Sequence, residues 1–240
     1  MRRDESVLAL RWEQSAVAAA PAPSSVHVWA APLSVANERV ERLAQALSPD
    51  EQARASRFRT HDLQVRFVTA RGMLREILGA YLGMRPEDIR FQYDARQKPS
   101  LAPAMPAPAL HFNVAHSGDL ALYAVATDGA VGVDVELMTP LPDARDIAGS
   151  FFSKAEQRAL SVIPERDQCA AFYRIWTRKE AYLKATGMGL FTPLESFDVS
   201  VAADERPAVL RIARTLPVSA QEEKQRARSR HRSCSASCAG

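Results

Sequence analysis

The stretch "KPSLAPAMPAPA", residues 98–109, constrains this chain more than any other, because proline recurs in it four times. Each proline fixes its own φ and removes a backbone donor, so the segment can be neither helix interior nor central strand. It reads as a hinge between two halves. Before it, "VHVWAAP" alternates as a first strand, and "VANERVERLAQAL" and "DEQARASRF" read as helices, the second opened by Ser48 and Pro49. A longer helix is predicted over Leu63–Leu82, where Val65, Phe67, Val68, Leu74, Ile77, Leu78 and Tyr81 recur at helical spacing, and "DIRFQYD" follows as a strand. After the hinge come three strand-like runs, "LHFNVAH", "LALYAVATD" and "AVGVDVEL", then helices over "SKAEQRALSVI" and "DQCAAFYRIWTRKEAYLKAT". Gly187 ends the last helix as a C-cap, and "SFDVSVA" and "AVLRIAR" are late strands. This order predicts an α+β fold rather than a βαβ repeat. The expected divisions are a weakly ordered Ala- and Pro-rich arm (1–25), an N-terminal half (26–109), a C-terminal half (110–216) and a disordered Arg- and Ser-rich tail (217–240).

With 240 residues, 47% of them hydrophobic, the chain can bury a sizeable core. Its 31 Lys and Arg nearly balance 28 Asp and Glu, so net charge gives no general reason to expect nucleic acid as a partner. Three cysteines form neither a disulfide framework nor a zinc site, which points to a reducing compartment. No run approaches the roughly 20 apolar residues of a membrane helix, and the N-terminus lacks the pattern of a signal peptide. The expectation is a cytoplasmic enzyme or binding protein.

Three segments carry possible chemistry. In "VGVDVEL", strand alternation would place Asp134 and Glu136 on one face, with Cβ atoms about 6–7 Å apart, near enough for two acids to meet on one cation. Taken alone, that segment is more simply explained by solvated acids on a one-sided strand. In "WTRKEAYLKATGMGL", Trp176, Glu180 and Lys184 share one side of a helix at i, i+4, i+8, although an ordinary surface Glu–Lys pair would look the same. In "FNVAHSGD", His116 and Ser117 end a strand where backbone N–H groups become free and a phosphate could be held. Taken together, three carboxylates suit a hard cation, and Lys179, Lys184 and His116 suit phosphate oxygens. The implied ligand is a magnesium–pyrophosphate unit.

From about Val26 to Leu216 the sequence resembles the 4′-phosphopantetheinyl transferase superfamily, in its large, monomeric, surfactin-synthetase-activating type. "FNVAHSGD", "VGVDVE", "FFSKAEQRAL" and "FYRIWTRKEAYLKATGMGLFTPLESFDV" occur in family order and spacing, and "WTRKEAYLKA" resembles the Trp/Lys-Glu-Ala subgroup. The resemblance implies two pseudo-symmetric halves and transfer of phosphopantetheine from coenzyme A to a serine of an apo acyl or peptidyl carrier protein, releasing adenosine 3′,5′-bisphosphate. It implies Asp134, Glu136 and Glu180 as Mg²⁺ ligands. His116, Lys179 and Lys184 would contact the coenzyme A phosphates, and Glu180 or a metal-bound water would take the serine proton. Lys98 in "QKP" resembles a family Gly-Lys-Pro, with Gln97 in place of the glycine. Arg54 and Arg66 match basic positions near the adenosine 3′-phosphate. Glu51 stands where relatives often have Lys, and a like charge about 4 Å from a phosphate costs about 4 kcal/mol at an effective dielectric of 20, so Glu51 should point away. Met188, Leu190 and Phe191 match the region that receives an apolar carrier-protein helix.

The family usually continues past a segment like "RIARTLPV" with further strand sequence, whereas here an Arg- and Ser-rich tail follows. The sequence leaves open an incomplete last sheet or an altered reading frame. Two other readings remain beside the enzyme: a catalytically impaired module that binds coenzyme A or a carrier protein, and, ranked last, a nucleic-acid binder using "RARSRHR".

Overall fold

The computed structural model describes residues 20–95, 97–105, 110–187 and 192–212. The chain separates into two compact units, Met1–Leu137 and Met138–Gly240. Both mix helix and strand, as an α+β chain should.

The first unit is organised around a sheet of three antiparallel strands, β1 (His27–Pro32), β5 (Leu120–Ala126) and β4 (His111–Ser117), in the order β1-β5-β4. Strand β5 lies in the middle, and its Ala121, Tyr123, Ala124, Val125 and Ala126 are all buried, which is why "LALYAVA" is apolar at nearly every position rather than alternating. The turn from β4 to β5 contains only Gly118 and Asp119, since Ser117 pairs with Leu120. Gly118 sits at φ 54°, the left-handed conformation that a two-residue hairpin turn requires.

Helices α1 (Asn37–Gln45), α2 (Pro49–Ala55) and α3 (His61–Leu82) follow β1. Leu43 of α1 meets α3 at Gly72, where an added Cβ would fall 2.6 Å from the Leu43 Cβ, so the helices can pack this closely only over glycine. Helix α3 begins with the Thr60 side chain accepting from Leu63 N and ends at Gly83, φ 63°. Its Met73, Leu74, Ile77 and Leu78 join Tyr123 and Val125 of β5 in the core. A small hairpin, β2 (Phe91–Tyr93) with β3 (Pro99–Leu101), uses the first part of the proline-rich stretch. Proline is tolerated there because β3 is an edge strand. The expected hinge thus contains a strand. Sheet pairing of β1 with β5 also joins residues on either side of the expected division at 109/110.

The expected arm, residues 1–25, falls largely outside the described residues. Its last part is fixed to the first unit: Thr127 Oγ1 donates to Pro21 O at 3.1 Å and Ser24 N to Asp128 Oδ2 at 2.6 Å.

In the second unit, α4 (Ala144–Phe151), α5 (Lys154–Ser161) and α6 (Glu165–Thr186) pack with the hairpin of β6 (Phe197–Val199) and β7 (Val209–Ile212). Its core gathers Phe152, Phe172, Ile175, Leu183, Phe197 and Val199. Gly187, φ 67°, caps α6 as the sequence predicts. The expected tail lies outside the described residues.

Candidate active site

The segment Val131–Leu137 departs from the sequence expectation. It is extended but belongs to no sheet. Side chains of β4 hold it instead. Val133 N donates to Asn113 Oδ1 at 2.9 Å, and Leu137 N donates to Ser117 Oγ at 3.0 Å. Both bonds link residues 20 apart in sequence, and this constant offset means that the segment runs parallel to β4. The buried Asn113 stands in for a backbone acceptor. Val131 and Val133 pack on Ala124 and Ala126, which turns the valine side toward the sheet. Ser117 does more than pin the backbone, because its hydroxyl also donates to Glu136 Oε2 at 2.9 Å. The half-buried Asp134 and the exposed Glu136 are therefore fixed beside the strand that carries His116.

His116, Arg54 and Arg66 come together. They line one cavity of about 820 Å³ in the first unit, whose walls also include Phe58, Phe67, Arg71, Pro99 and Gly118. Arg54 lies over the Phe67 ring, 5.4 Å from its centroid. Arg66 is more heavily committed: its Nε donates to Asp62 at 2.9 Å, Nη2 pairs with Asp119 at 2.7 Å and Nη1 donates to Gly118 O. The Asp62 and Asp119 carboxylates raise its already high pKa. Arg66 thus braces the β4–β5 turn from the cavity wall.

Lys98 immediately precedes Pro99 of that wall, in a turn where Lys98 N donates to Asp94 Oδ1 at 2.8 Å and Asp94 N to Lys98 O at 3.1 Å. Gln97 keeps the glycine-like conformation of this turn at φ 62°. A side chain there costs roughly 1–2 kcal/mol relative to right-handed backbone.

On α6 of the second unit, Glu180 and Lys184 are half-buried, and Trp176 stacks on Phe172 with centroids 6.0 Å apart. Lys179 is a correction to the sequence reading. Its side chain is 0% exposed, and its ammonium donates to Leu194 O at 2.7 Å and Phe197 O at 2.6 Å and pairs with Glu156 Oε2 at 2.8 Å. An ammonium has three protons, so these partners use them all. Burial pushes the Lys179 pKa down, while Glu156 opposes that shift. Lys179 is a core residue in this structure and has no donor left for a phosphate. Met188, Leu190 and Phe191 lie outside the described residues. Within neither unit do the described residues gather three His, Cys, Asp or Glu side chains around one point.

Two residues escaped the sequence reading. Asn113 was hidden because nothing in the run "HFNVAHS" says that its amide replaces a ladder partner. Arg71 was hidden because α3 was read for its apolar periodicity. Its signal was an arginine four residues from Phe67 and four from Arg75, on a helix that also turns Leu74 and Leu78 inward.

Residues 130–236 match the family model described as "4'-phosphopantetheinyl transferase superfamily", and residues 34–128 match "4'-phosphopantetheinyl transferase, N-terminal". The chain belongs to the 4′-phosphopantetheinyl transferase superfamily. It is similar to the 4′-phosphopantetheinyl transferase HetI of Nostoc sp. (strain PCC 7120), 41% identical over 78% of each chain. It is also similar to psf-1 of Bacillus pumilus, 34% identical over 74% of this chain and 73% of the relative, and to Sfp of Bacillus subtilis (strain 168), 30% identical over 74% and 76%. The fold class and the enzyme class expected from the motifs both agree with these matches.

Proposed function

We propose that this 4′-phosphopantetheinyl transferase uses coenzyme A as donor and Mg²⁺ as cofactor, modifies a serine of an apo acyl or peptidyl carrier protein, and releases adenosine 3′,5′-bisphosphate, acting as a cytoplasmic monomer. The observation that carries the donor assignment is the single cavity lined by Arg54, Arg66 and His116, three residues whose positions match family contacts to the nucleotide. Lys98, beside the same wall, is assigned with them. No helix among the described residues is long and apolar enough to cross a membrane.

Asp134, Glu136 and Glu180 are the proposed metal ligands. The set fits Mg²⁺ in its chemistry, since every donor is a carboxylate oxygen, the type a hard cation takes. When bound, the ion would neutralise charge on phosphate oxygens. The protein's own groups do the rest. Ser117 orients the Glu136 carboxylate, His116 hydrogen-bonds phosphate oxygens and Lys184 neutralises their charge. Glu180 receives the proton of the carrier serine as its oxygen bonds to the β-phosphorus and the bond to the bridging oxygen breaks, so that the nucleotide leaves as adenosine 3′,5′-bisphosphate. Met188, Leu190 and Phe191 are assigned to the carrier protein's apolar helix.

The test is mass spectrometry of a panel of apo carrier proteins incubated with enzyme, coenzyme A and Mg²⁺. A gain of one phosphopantetheine per carrier is expected. Glu180→Gln and Asp134→Ala should abolish the gain while the fold persists. Full activity in either variant would overturn the site.

A further inference from the structure

The charges gathered around buried Glu51 do not balance. Glu51 of α2 is 1% exposed and faces two arginines of α3, Arg71 and Arg75. One carboxylate against two guanidiniums leaves a net charge of +1 (−1 + 2). Hydrogen bonding decides where that charge resides. Arg75, also 1% exposed, donates through Nε to Glu51 Oε2 at 2.7 Å and through Nη1 to Pro86 O at 3.0 Å and Ile89 O at 2.9 Å. It is compensated. Arg71 only approaches Glu51 Oε1, at 3.5 Å from its Nε, and its Nη1 is buried with no hydrogen-bond partner.

Native proteins rarely leave a buried guanidinium N–H unmade, because the group has lost its water and gained nothing in return. The surplus charge is, moreover, at a cavity. Arg71 lines the same wall as Arg54 and His116, and its side chain is 12% exposed, with the guanidinium 5.9 Å from the Phe67 ring centroid and 5.2 Å from that of Phe91. The two rings and Glu51 restrict where its planar head can lie. A cationic fork held this way at a cavity wall suits an anion.

We propose that Arg71 is a substrate-binding residue that takes the phosphate monoester of the coenzyme A ribose, and that Glu51 is its positioning residue; this rests on coenzyme A being the donor. A monoester carries close to two charges and three free oxygens, and a guanidinium fork matches it in a bidentate way that a single ammonium does not. It is also the one phosphate of the donor with no share in the bond being broken. Binding there holds the substrate without having to change as the reaction proceeds. A carboxylate at position 51, which would repel a phosphate if it faced the cavity, instead orients the cation that attracts it.

The experiment compares wild type, Arg71→Gln and Arg71→Lys with two donors, coenzyme A and dephospho-coenzyme A, which lacks only this monoester. Arg71→Gln should raise KM for coenzyme A about 10- to 100-fold, the range of a charge-assisted hydrogen bond, with kcat within twofold and KM for dephospho-coenzyme A unchanged. Arg71→Lys should recover part of the loss. An equal rise for both donors, or no rise, would overturn the assignment, because a merely structural arginine cannot tell the donors apart. Calorimetry on the wild-type chain needs no variant to fold: adenosine 3′,5′-bisphosphate should bind at least tenfold more tightly than AMP, and equal affinities would also overturn it. If wild type loads no carrier yet keeps that tenfold preference, the transfer reading fails and the anion site stands.

Discussion

Replacing Lys179 by Met should unfold the second unit far more readily than it weakens donor binding. The ammonium is buried with three partners drawn from the Leu194–Ser196 turn, β6 and α5. Removing it leaves the Glu156 carboxyl, 1% exposed, without its cation and held by Ser153 N at 2.9 Å and Val199 N at 2.8 Å, and strips a charged donor from two buried carbonyls. Methionine nearly conserves the stem, so the loss is electrostatic rather than a cavity. Breaking a buried pair by deleting one partner costs about 3–5 kcal/mol, against a total stability of about 5–15 kcal/mol. At a urea slope of roughly 2–3 kcal/mol/M, the midpoint should fall by about 1–2.5 M. Trp176, stacked on Phe172 in the same core, is the fluorescent probe. Lys179→Met with Glu156→Leu should recover part of the loss, since the stranded carboxylate is then gone. The reasoning is refuted if Lys179→Met unfolds at the wild-type midpoint while KM for coenzyme A rises tenfold; Lys179 would then be a phosphate ligand after all.

Ser117→Ala should raise the Mg²⁺ concentration needed for half-maximal thermal stabilisation several-fold, because Glu136 loses its orienting bond, whereas Ser117→Thr should stay near wild type. Gln97→Gly should stabilise the first unit by about 1 kcal/mol in urea unfolding, by relieving the left-handed backbone; a destabilised variant would show that the Gln97 side chain makes up for its strain. The hydrogen bond from Arg211 holds the Asp198 pKa below the ordinary carboxylate value. A carboxylate with a depressed folded-state pKa contributes stability that is present above its unfolded value, near 3.8, and is lost as pH falls through the folded value. Acid titration of unfolding should therefore show part of the loss below that pH disappear in Asp198→Asn.

Most elements were legible because their signals are local. The helical spacing of Val65, Phe67, Val68, Leu74, Ile77 and Leu78 announces α3, and Gly187, which closes α6, acts through its own backbone conformation. At the "QKP" turn the sequence shows only that Gln97 stands in place of a glycine; the structure adds that Gln97 accepts the left-handed backbone. Pairing was less legible. The run "VGVDVEL" has the alternation of a strand and is in fact extended, but its partners are the Asn113 amide and the Ser117 hydroxyl, which no periodicity can announce. For Glu51, sequence alone could argue that it should avoid a phosphate. That it turns into the core against Arg75, leaving Arg71 short of a partner, depends on α2 meeting α3.

Lys179 and Lys184 show how a motif can be matched and its residues still be sorted wrongly. Both fall in "WTRKEAYLKAT", and both suit a phosphate by charge alone. Helical phase separates them. Phe172, Ile175, Lys179 and Leu183 recur at steps of three and four and form the buried stripe of α6, while Trp176, Glu180 and Lys184 form the neighbouring stripe, half-buried at each position. A lysine in phase with the core stripe must find its acceptors inside the unit. Glu156 is that acceptor, and it too is buried on the inward side of its own short helix, beside Leu160. A charged residue in phase with an apolar stripe is therefore better read first as half of a buried pair, and as a substrate contact only when no opposite charge is found in phase on a neighbouring element.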